Sequence, residues 1–291
     1  MTIAYFDGAF VQRNTITINP ADFAFARGVG LFELGRVYGG KPFHLEDHLE
    51  RLAQGARLLG IAMPHTVPEL ADISRKLIAQ NALPQSAIKY YLTAGECAQA
   101  SGISFYACSG FTPHLMVMED PVTVLHPEAP YGLAHYQRGQ RLKIVPYERE
   151  LPSIKSTNYL LGFYAARQVA GAEWDDILFT HRDGYITEAT RSNFFCVLDD
   201  VLVTPGRGML QGITRKIVLK LAQQIGLKVA ERDLYPADIV TATEAFATGS
   251  IAEVMPVGRI DDHVVPHTTQ GRVDVALRQA FTAYVAAQGR Q

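Results

Sequence analysis

The chain has 291 residues, enough for one large domain or two moderate ones, and its 48% hydrophobic and 19% charged content describes a globular protein with ample core. A net charge of −2 leaves no basic face for nucleic acid or an anionic membrane. Three cysteines (Cys97, Cys108 and Cys196) without a CxxC pair fit a reducing compartment and argue against a disulfide framework or a zinc site.

The opening residues carry Asp7 and no long apolar stretch, so no secretory signal is predicted. No window approaches a membrane span, and a cytoplasmic location is expected. IAYFDGAFV reads as a hairpin around Asp7 and Gly8, and LFELGRVYGGKPF as another around Gly39 and Gly40. HLEDHLERLAQGARLLG follows as an amphipathic helix with Leu45, Leu49, Leu52, Ala56 and Leu59 on one face. PELADISRKLIAQN is a second helix, and AIKYYLTAG and HLMVMED are strands flanking an irregular stretch at 96–110. That stretch is a candidate cover for a substrate entrance.

Prolines and glycines near 119–133 predict a linker between a small domain at 1–118 and a larger one at 134–291. In the larger domain RLKIVPYE, DDILFT, YITEATRSNFFCVLD, VLVTP, KVAERDL, AFATG and EVMPVGRID read as strands. TRKIVLKLAQQIG is a helix ending at Gly226, and the segment from 268 to 288 is a closing helix. The fold class is α+β in two domains.

Within this frame the stretch LPSIKSTNYLLGFYAARQVA places Lys155 between an apolar run and the expected opening turn of a helix, with little charge close by in sequence. Lysine heads ordinarily reach for water, so a surface role is the default reading. Four features argue for chemistry instead. In LQGITRK, Ile213 and Thr214 open a helix whose free N–H groups and positive dipole end suit a phosphate, though Thr214 also reads as a simple cap. In FATGSIAEVMPV, Gly249 and Ser250 form a small hydrogen-bonding loop. In DGYITEATRSNFF, Glu188 stands inside a strand, where it would face either solvent or a cation such as a protonated pyridine nitrogen. Arg51, on the first helix, offers a fork-shaped donor for phosphate. A lysine for a Schiff base, an acid for a ring nitrogen and a phosphate cradle are together the parts that hold pyridoxal 5′-phosphate.

The segments IKSTNYL, ITEATRSNFF, LQGITR and TGSIAEVMPV resemble, in order and spacing, the motifs of class IV aminotransferases. This group is fold type IV of the pyridoxal phosphate enzymes, and the resemblance covers nearly the whole chain. It implies a small N-terminal α/β domain and a larger C-terminal domain with a barrel-like sheet. It implies Lys155 as Schiff-base lysine and proton shuttle, and Glu188 as partner of the pyridine nitrogen. Arg51, Ile213, Thr214 and Ser250 would hold the phosphate, and Tyr159 would stand beside the ring oxygen. The resemblance also implies a homodimer whose active sites are completed across the interface, acting on an amino acid and a 2-oxo acid.

Subfamilies differ in how they hold the substrate carboxylate. IKYYLTAGECAQAS lacks the Arg-x-His pair of the standard D-amino-acid enzymes. FARGVGLFELGR, IKYYLTAG and TEATRSNFF resemble a non-standard D-amino-acid group, in which Arg27 from the neighbouring subunit and Lys89 would grip carboxylates. That reading is preferred here, with D-alanine or D-glutamate and 2-oxoglutarate as partners. An L-branched-chain aminotransferase, with Phe32, Tyr38, Tyr90 and Tyr91 lining an apolar pocket, is the alternative. A lyase such as aminodeoxychorismate lyase is third. Arg36 is expected to pair structurally, and Arg191 to border the site.

Overall fold

The computed structural model describes residues 2–97, 110–125, 133–169, 173–266 and 271–288. The chain divides into two compact units, Met1–Pro127 with Ile154–Asn158, and Glu128–Ser153 with Tyr159–Gln291. Against the expected partition around 119–133, the difference is Ile154–Asn158, a short return of the chain to the first unit that carries Lys155.

In the first unit, β1 (Ile3–Phe6) and β2 (Ala9–Gln12) form the first expected hairpin, with Asp7 and Gly8 both at positive φ. Then follow α1 (Phe23–Arg27), β3 (Gly30–Tyr38), β4 (Lys41–Pro42), α2 (Leu45–Leu59), α3 (Val67–Asn81) and β5 (Gln85–Thr93). β6 (Glu96–Cys97) pairs with β7 (Phe111–Thr112), and β8 (Leu115–Pro121) leads into α4 (Val122–Leu125). The main sheet has the order β2-β1-β8-β5-β3-β4, antiparallel throughout. α3 starts at a capping box, Thr66 accepting from the Glu69 backbone while the Glu69 carboxylate reaches back.

Alternation along β3 and β5 gives the sheet two different faces. Leu31, Glu33, Val37, Ile88, Tyr90 and Leu92 are buried, and this face packs against α2 and α3 together with Leu49, Leu52, Leu70 and Leu77. Phe32, Leu34, Lys89 and Tyr91 point the other way and are only partly buried.

The second unit contains α5 (Leu133–Arg138), β9 (Gln140–Pro146), α6 (Leu160–Val169), β10 (Asp176–Thr180), β11 (Ile186–Ala189), β12 (Asn193–Leu198) and β13 (Val201–Pro205). It continues with α7 (Ile213–Gln224), β14 (Lys228–Arg232), α8 (Pro236–Ile239), β15 (Glu244–Gly249), β16 (Glu253–Ile260), β17 (His263–Val264) and α9 (Arg272–Gln288). Strands follow the path β11-β10-β9-β16-β15-β12, and β12 pairs back onto β11. Six strands therefore close on themselves, the barrel-like sheet that the motifs implied. Leu178, Ile186, Phe194, Cys196 and Val257 form part of its core.

Two expectations change, and α6 presents an outward apolar face. The stretch read as one strand is two, β11 and β12, separated at residues 190–192, so that Glu188 pairs with Asn193 across the ladder. The apolar stripe of α6 faces outward: Leu160, Phe163 and Tyr164 are 72%, 67% and 60% exposed, while the small Gly162 and Ala165 face inward. Cys97 is disulfide-bonded, its partner lying outside the described residues, whereas Cys196 is free and buried. Most of the irregular 96–110 stretch, 98–109, also lies outside them. Among the described residues, no helix is long and apolar enough to cross a membrane.

Candidate active site

Lys155 lies ahead of the helix, as the sequence reading has it, and α6 begins five residues later. It sits in an extended segment stitched to β3: Phe32 N–H donates to its carbonyl at 2.9 Å, Thr157 N–H donates to the Gly30 carbonyl at 2.9 Å, and Ser156 bridges Leu31. Ile154, just before it, is 3% exposed and anchors the segment in the core of the first unit. A Cβ on Gly55 of α2 would come within 3.3 Å of Leu31, so the glycine lets α2 lie close against β3.

The result is that Nζ of Lys155 stands 4.4 Å from the ring centre of Phe32, a cation–aromatic contact. Phe32 stacks on Tyr91 at 6.3 Å, its cross-strand neighbour. Lys89 lies on the same face, opposite Leu34, with Nζ 2.9 Å from Asp120 Oδ2. Arg13 holds the other oxygen of that carboxylate. Tyr90, by contrast, points to the helix-covered face and bonds Ser74 Oγ at 2.7 Å, so it lines no pocket beside Phe32. Arg36 pairs structurally, as expected: it donates to Gln85 Oε1 at 3.0 Å and lies over the Tyr38 ring.

Arg51 projects from α2 to Glu33, which is 0% exposed. Nε donates to Oε1 at 2.7 Å and Nη2 to Oε2 at 2.8 Å, with His48 Nδ1 2.9 Å from Oε2. Burial alone would raise the Glu33 pKa, but the Arg51 charge and the His48 and Arg51 hydrogen bonds overcome it and bring it to about 2. For His48, burial and the Arg51 and Lys155 charges outweigh Glu33 and lower the pKa, which places Lys155 within electrostatic reach of this cluster. Arg27 ends α1 on an exposed turn, with Nη1 donating to the Ala26 carbonyl at 2.8 Å. Asp22 fixes that turn by capping Ala24 N–H and accepting from Thr93 Oγ1 at 2.6 Å.

In the second unit the structure gathers Glu188, Ile213 and Thr214. Glu188 is 4% exposed, so the solvated-face reading fails. Arg149 Nη1 donates to its Oε1 at 2.5 Å, and Asn193 Nδ2 approaches its Oε2 at 3.4 Å while donating to the Leu210 carbonyl at 2.8 Å. A Cβ on Gly212 would lie 2.0 Å from Asn193 Oδ1, so only glycine lets the start of α7 come this near. The first helical bond of α7 runs from Lys216 N–H to the Gly212 carbonyl, and Gly212 contributes no side-chain cap. The Ile213 and Thr214 N–H groups thus precede the helical ladder. Ser250 follows β15 at a turn, next to Gly249, whose Cβ position is 3.3 Å from the Arg191 carbonyl. Tyr159 precedes α6, and its carbonyl accepts from Phe163 N–H at 2.8 Å.

Arg149, Asn193 and the Glu33–His48 pair escaped the sequence reading. A buried asparagine in the otherwise apolar run NFFCVL was the available signal, because such a side chain must find partners.

These residues fit a phosphorylated pyridine cofactor. The start of α7 offers N–H groups without a side-chain cap, and Thr248 Oγ1, paired opposite Asn193, is buried without a hydrogen-bond partner among the described residues. The same unit supplies a buried acid, Glu188. The amino-transferase class IV family model matches residues 30–260. A putative branched-chain-amino-acid aminotransferase of Methanocaldococcus jannaschii is 32% identical over 279 residues, covering 95% of this chain and 94% of that one. A D-alanine aminotransferase of Listeria monocytogenes is 27% identical over 274 residues, covering 93% and 92%. The solved branched-chain amino acid aminotransferase of Thermobaculum terrenum, in its holo form with the cofactor, superposes with a TM-score of 0.83 at 25% identity, over 98% and 94% of the two chains. The chain therefore belongs to the class IV aminotransferases, enzymes of fold type IV that work with pyridoxal 5′-phosphate.

Proposed function

We propose that this enzyme transfers the amino group of branched-chain L-amino acids to 2-oxoglutarate, as a cytoplasmic homodimer. The observation that carries the reading is the stacked Phe32–Tyr91 pair beside Lys155 Nζ, an apolar surface at the atom where an amino acid would react. It replaces the preference for D-amino acids drawn from the motifs, since branched-chain enzymes also lead the relatives. Bound pyridoxal phosphate supplies the carbonyl that takes up the amino group and a ring that accepts the electron pair of the broken Cα–H bond. Lys155 Nζ anchors the cofactor, takes the proton from the substrate Cα and returns it on the neighbouring carbon. Glu188 holds a proton at the ring nitrogen. Arg51, the Ile213 and Thr214 N–H groups and Ser250 bind the phosphate, and Tyr159 orients the ring oxygen.

Arg27 and Lys89 are the proposed partners of substrate carboxylates, and they keep the D-amino-acid reading as the second one. Asp120 already holds the lysine, so Arg27 on its exposed turn is the stronger of the two. The two readings separate in a half-reaction. The visible band of the bound cofactor should bleach with L-leucine or L-valine in the absence of a 2-oxo acid. Bleaching by D-alanine or D-glutamate alone would overturn the branched-chain reading.

The homodimer reading rests on Leu160, Phe163 and Tyr164 on α6 and on Phe25 of α1, which is 76% exposed beside Arg27. Paired Leu160→Glu and Phe163→Glu changes should convert a dimer to a monomer in light scattering. A monomeric wild type would remove this part of the proposal.

A further inference from the structure

Glu188 is held by a cation from its own unit, and the geometry of that cation is unusually well fixed. Arg149 lies just after β9, in a run where each residue is tied to the hairpin of β10 and β11. The Tyr147 ring meets Phe179 edge to face at 4.8 Å. Glu148 accepts from Arg182 Nε at 2.8 Å and sits 3.0 Å from His181 Nε2. Arg149 then turns inward, its side chain 13% exposed, and donates to Glu188 Oε1. Its acidic neighbour Glu148 is thus engaged with Arg182 and His181, while the Arg149 guanidinium reaches Glu188.

Arg149 meets one oxygen of Glu188 and Asn193 lies near the other, so the carboxylate is held from both sides. The question is where a proton shared between Glu188 and a pyridine nitrogen resides. In a dry site the neutral pair, carboxylic acid and pyridine, competes with the charged pair, carboxylate and pyridinium. A fixed guanidinium next to the carboxylate, and farther from the ring, favours the charged pair: it attracts the near negative charge more than it repels the distant positive one.

We propose that Arg149 is a positioning residue for catalysis, one that keeps Glu188 charged and aimed so that the shared proton stays on the cofactor's ring nitrogen. The ring is then the stronger acceptor for the electron pair released at Cα. The proposal rests on the Glu188 role given above, and the experiment separates the two. Wild type, Arg149→Met, Arg149→Lys and Glu188→Gln are reconstituted with pyridoxal phosphate carrying nitrogen-15 in the ring, and the ring-nitrogen shift is read by NMR beside kcat and KM. Urea unfolding of the cofactor-free forms checks that each variant folds.

In wild type the shift should report a protonated nitrogen. Arg149→Met should move it toward the neutral value and lower kcat roughly tenfold to a hundredfold with little change in KM, the loss typical when the group orienting a functional side chain is removed. Arg149→Lys should recover part of both, since it restores the charge without the fork. If Glu188→Gln moves the shift and Arg149→Met does not, the arginine is a structural ion pair and the proposal is overturned. If Glu188→Gln also leaves the shift in place, the role assigned to Glu188 fails first.

Discussion

Lys155→Ala should lower kcat by at least about 10⁴-fold, because one side chain supplies both covalent attachment and the acid–base step. Borohydride treatment of the wild-type enzyme with pyridoxal phosphate should fix the cofactor on the peptide containing Lys155, and the variant should take up none there. The fold should be nearly indifferent to the change. The segment is held by the Phe32-to-Lys155 and Thr157-to-Gly30 backbone bonds and by buried Ile154, none of which uses the lysine side chain. What the variant loses in packing is the contact of Nζ with the Phe32 ring, worth about 0.5–1 kcal/mol at a partly exposed site. Loss of activity with a urea midpoint lowered only slightly is therefore the expected signature. A variant that retains more than about a hundredth of wild-type turnover would show that another group moves the proton.

Local patterns in the chain were enough for most elements and for the chemistry of single motifs. Asp7 with Gly8 and Gly39 with Gly40 adopt the positive φ values that a tight hairpin needs, and Gly60 and Gly226 follow α2 and α7 in the same left-handed region. What escaped depends on contacts distant in sequence. The segment around Lys155 carries no local pattern beyond its place ahead of a helix. Its actual conformation is set by pairing with β3, more than 120 positions earlier.

Periodicity also identifies a stripe without saying what the stripe meets. On α2 the stripe faces the core, whereas on α6 it faces out. Tyr90 and Tyr91 show the same limit in a strand. Adjacent residues point to opposite faces, and which face is covered by helices is decided by the fold. Arg149 and Glu188 meet although 39 positions separate them, and no local rule links the two. The side-chain preference of the enzyme is harder still, because Arg27 and Lys89 are the same residue types under either substrate reading.

Glu33→Gln is expected to be the most damaging change that touches no reacting atom. Glu33 is fully buried and gives both oxygens to Arg51 and one also to His48. Removing the charge leaves a guanidinium that is only 12% exposed without its counterion, which costs about 3–5 kcal/mol for a buried pair. The contrast is Glu46→Gln on α2, the helix that carries Arg51. That carboxylate meets Arg75 where both side chains are about half exposed, and its loss should cost at most about 1 kcal/mol. The pH dependence gives a second signature. The folded pKa of about 2 lies below the ordinary 4.5, so the stabilisation is present above about pH 4.5 and is lost as pH falls toward 2. A shift of that size corresponds to about 3 kcal/mol, which the Gln variant should lack throughout while losing the acid-side slope. Because the Glu33 fork sets the direction of Arg51, pyridoxal phosphate should also bind the variant more weakly, by roughly tenfold for one loosened charge-assisted contact. Urea melts from pH 3 to 7 and a cofactor titration at pH 7 read the two effects apart. An unchanged melt would mean that the buried triad is dispensable. A destabilised protein with unchanged cofactor affinity would mean that Arg51 serves the fold and the phosphate is held without it, by the start of α7 and Ser250.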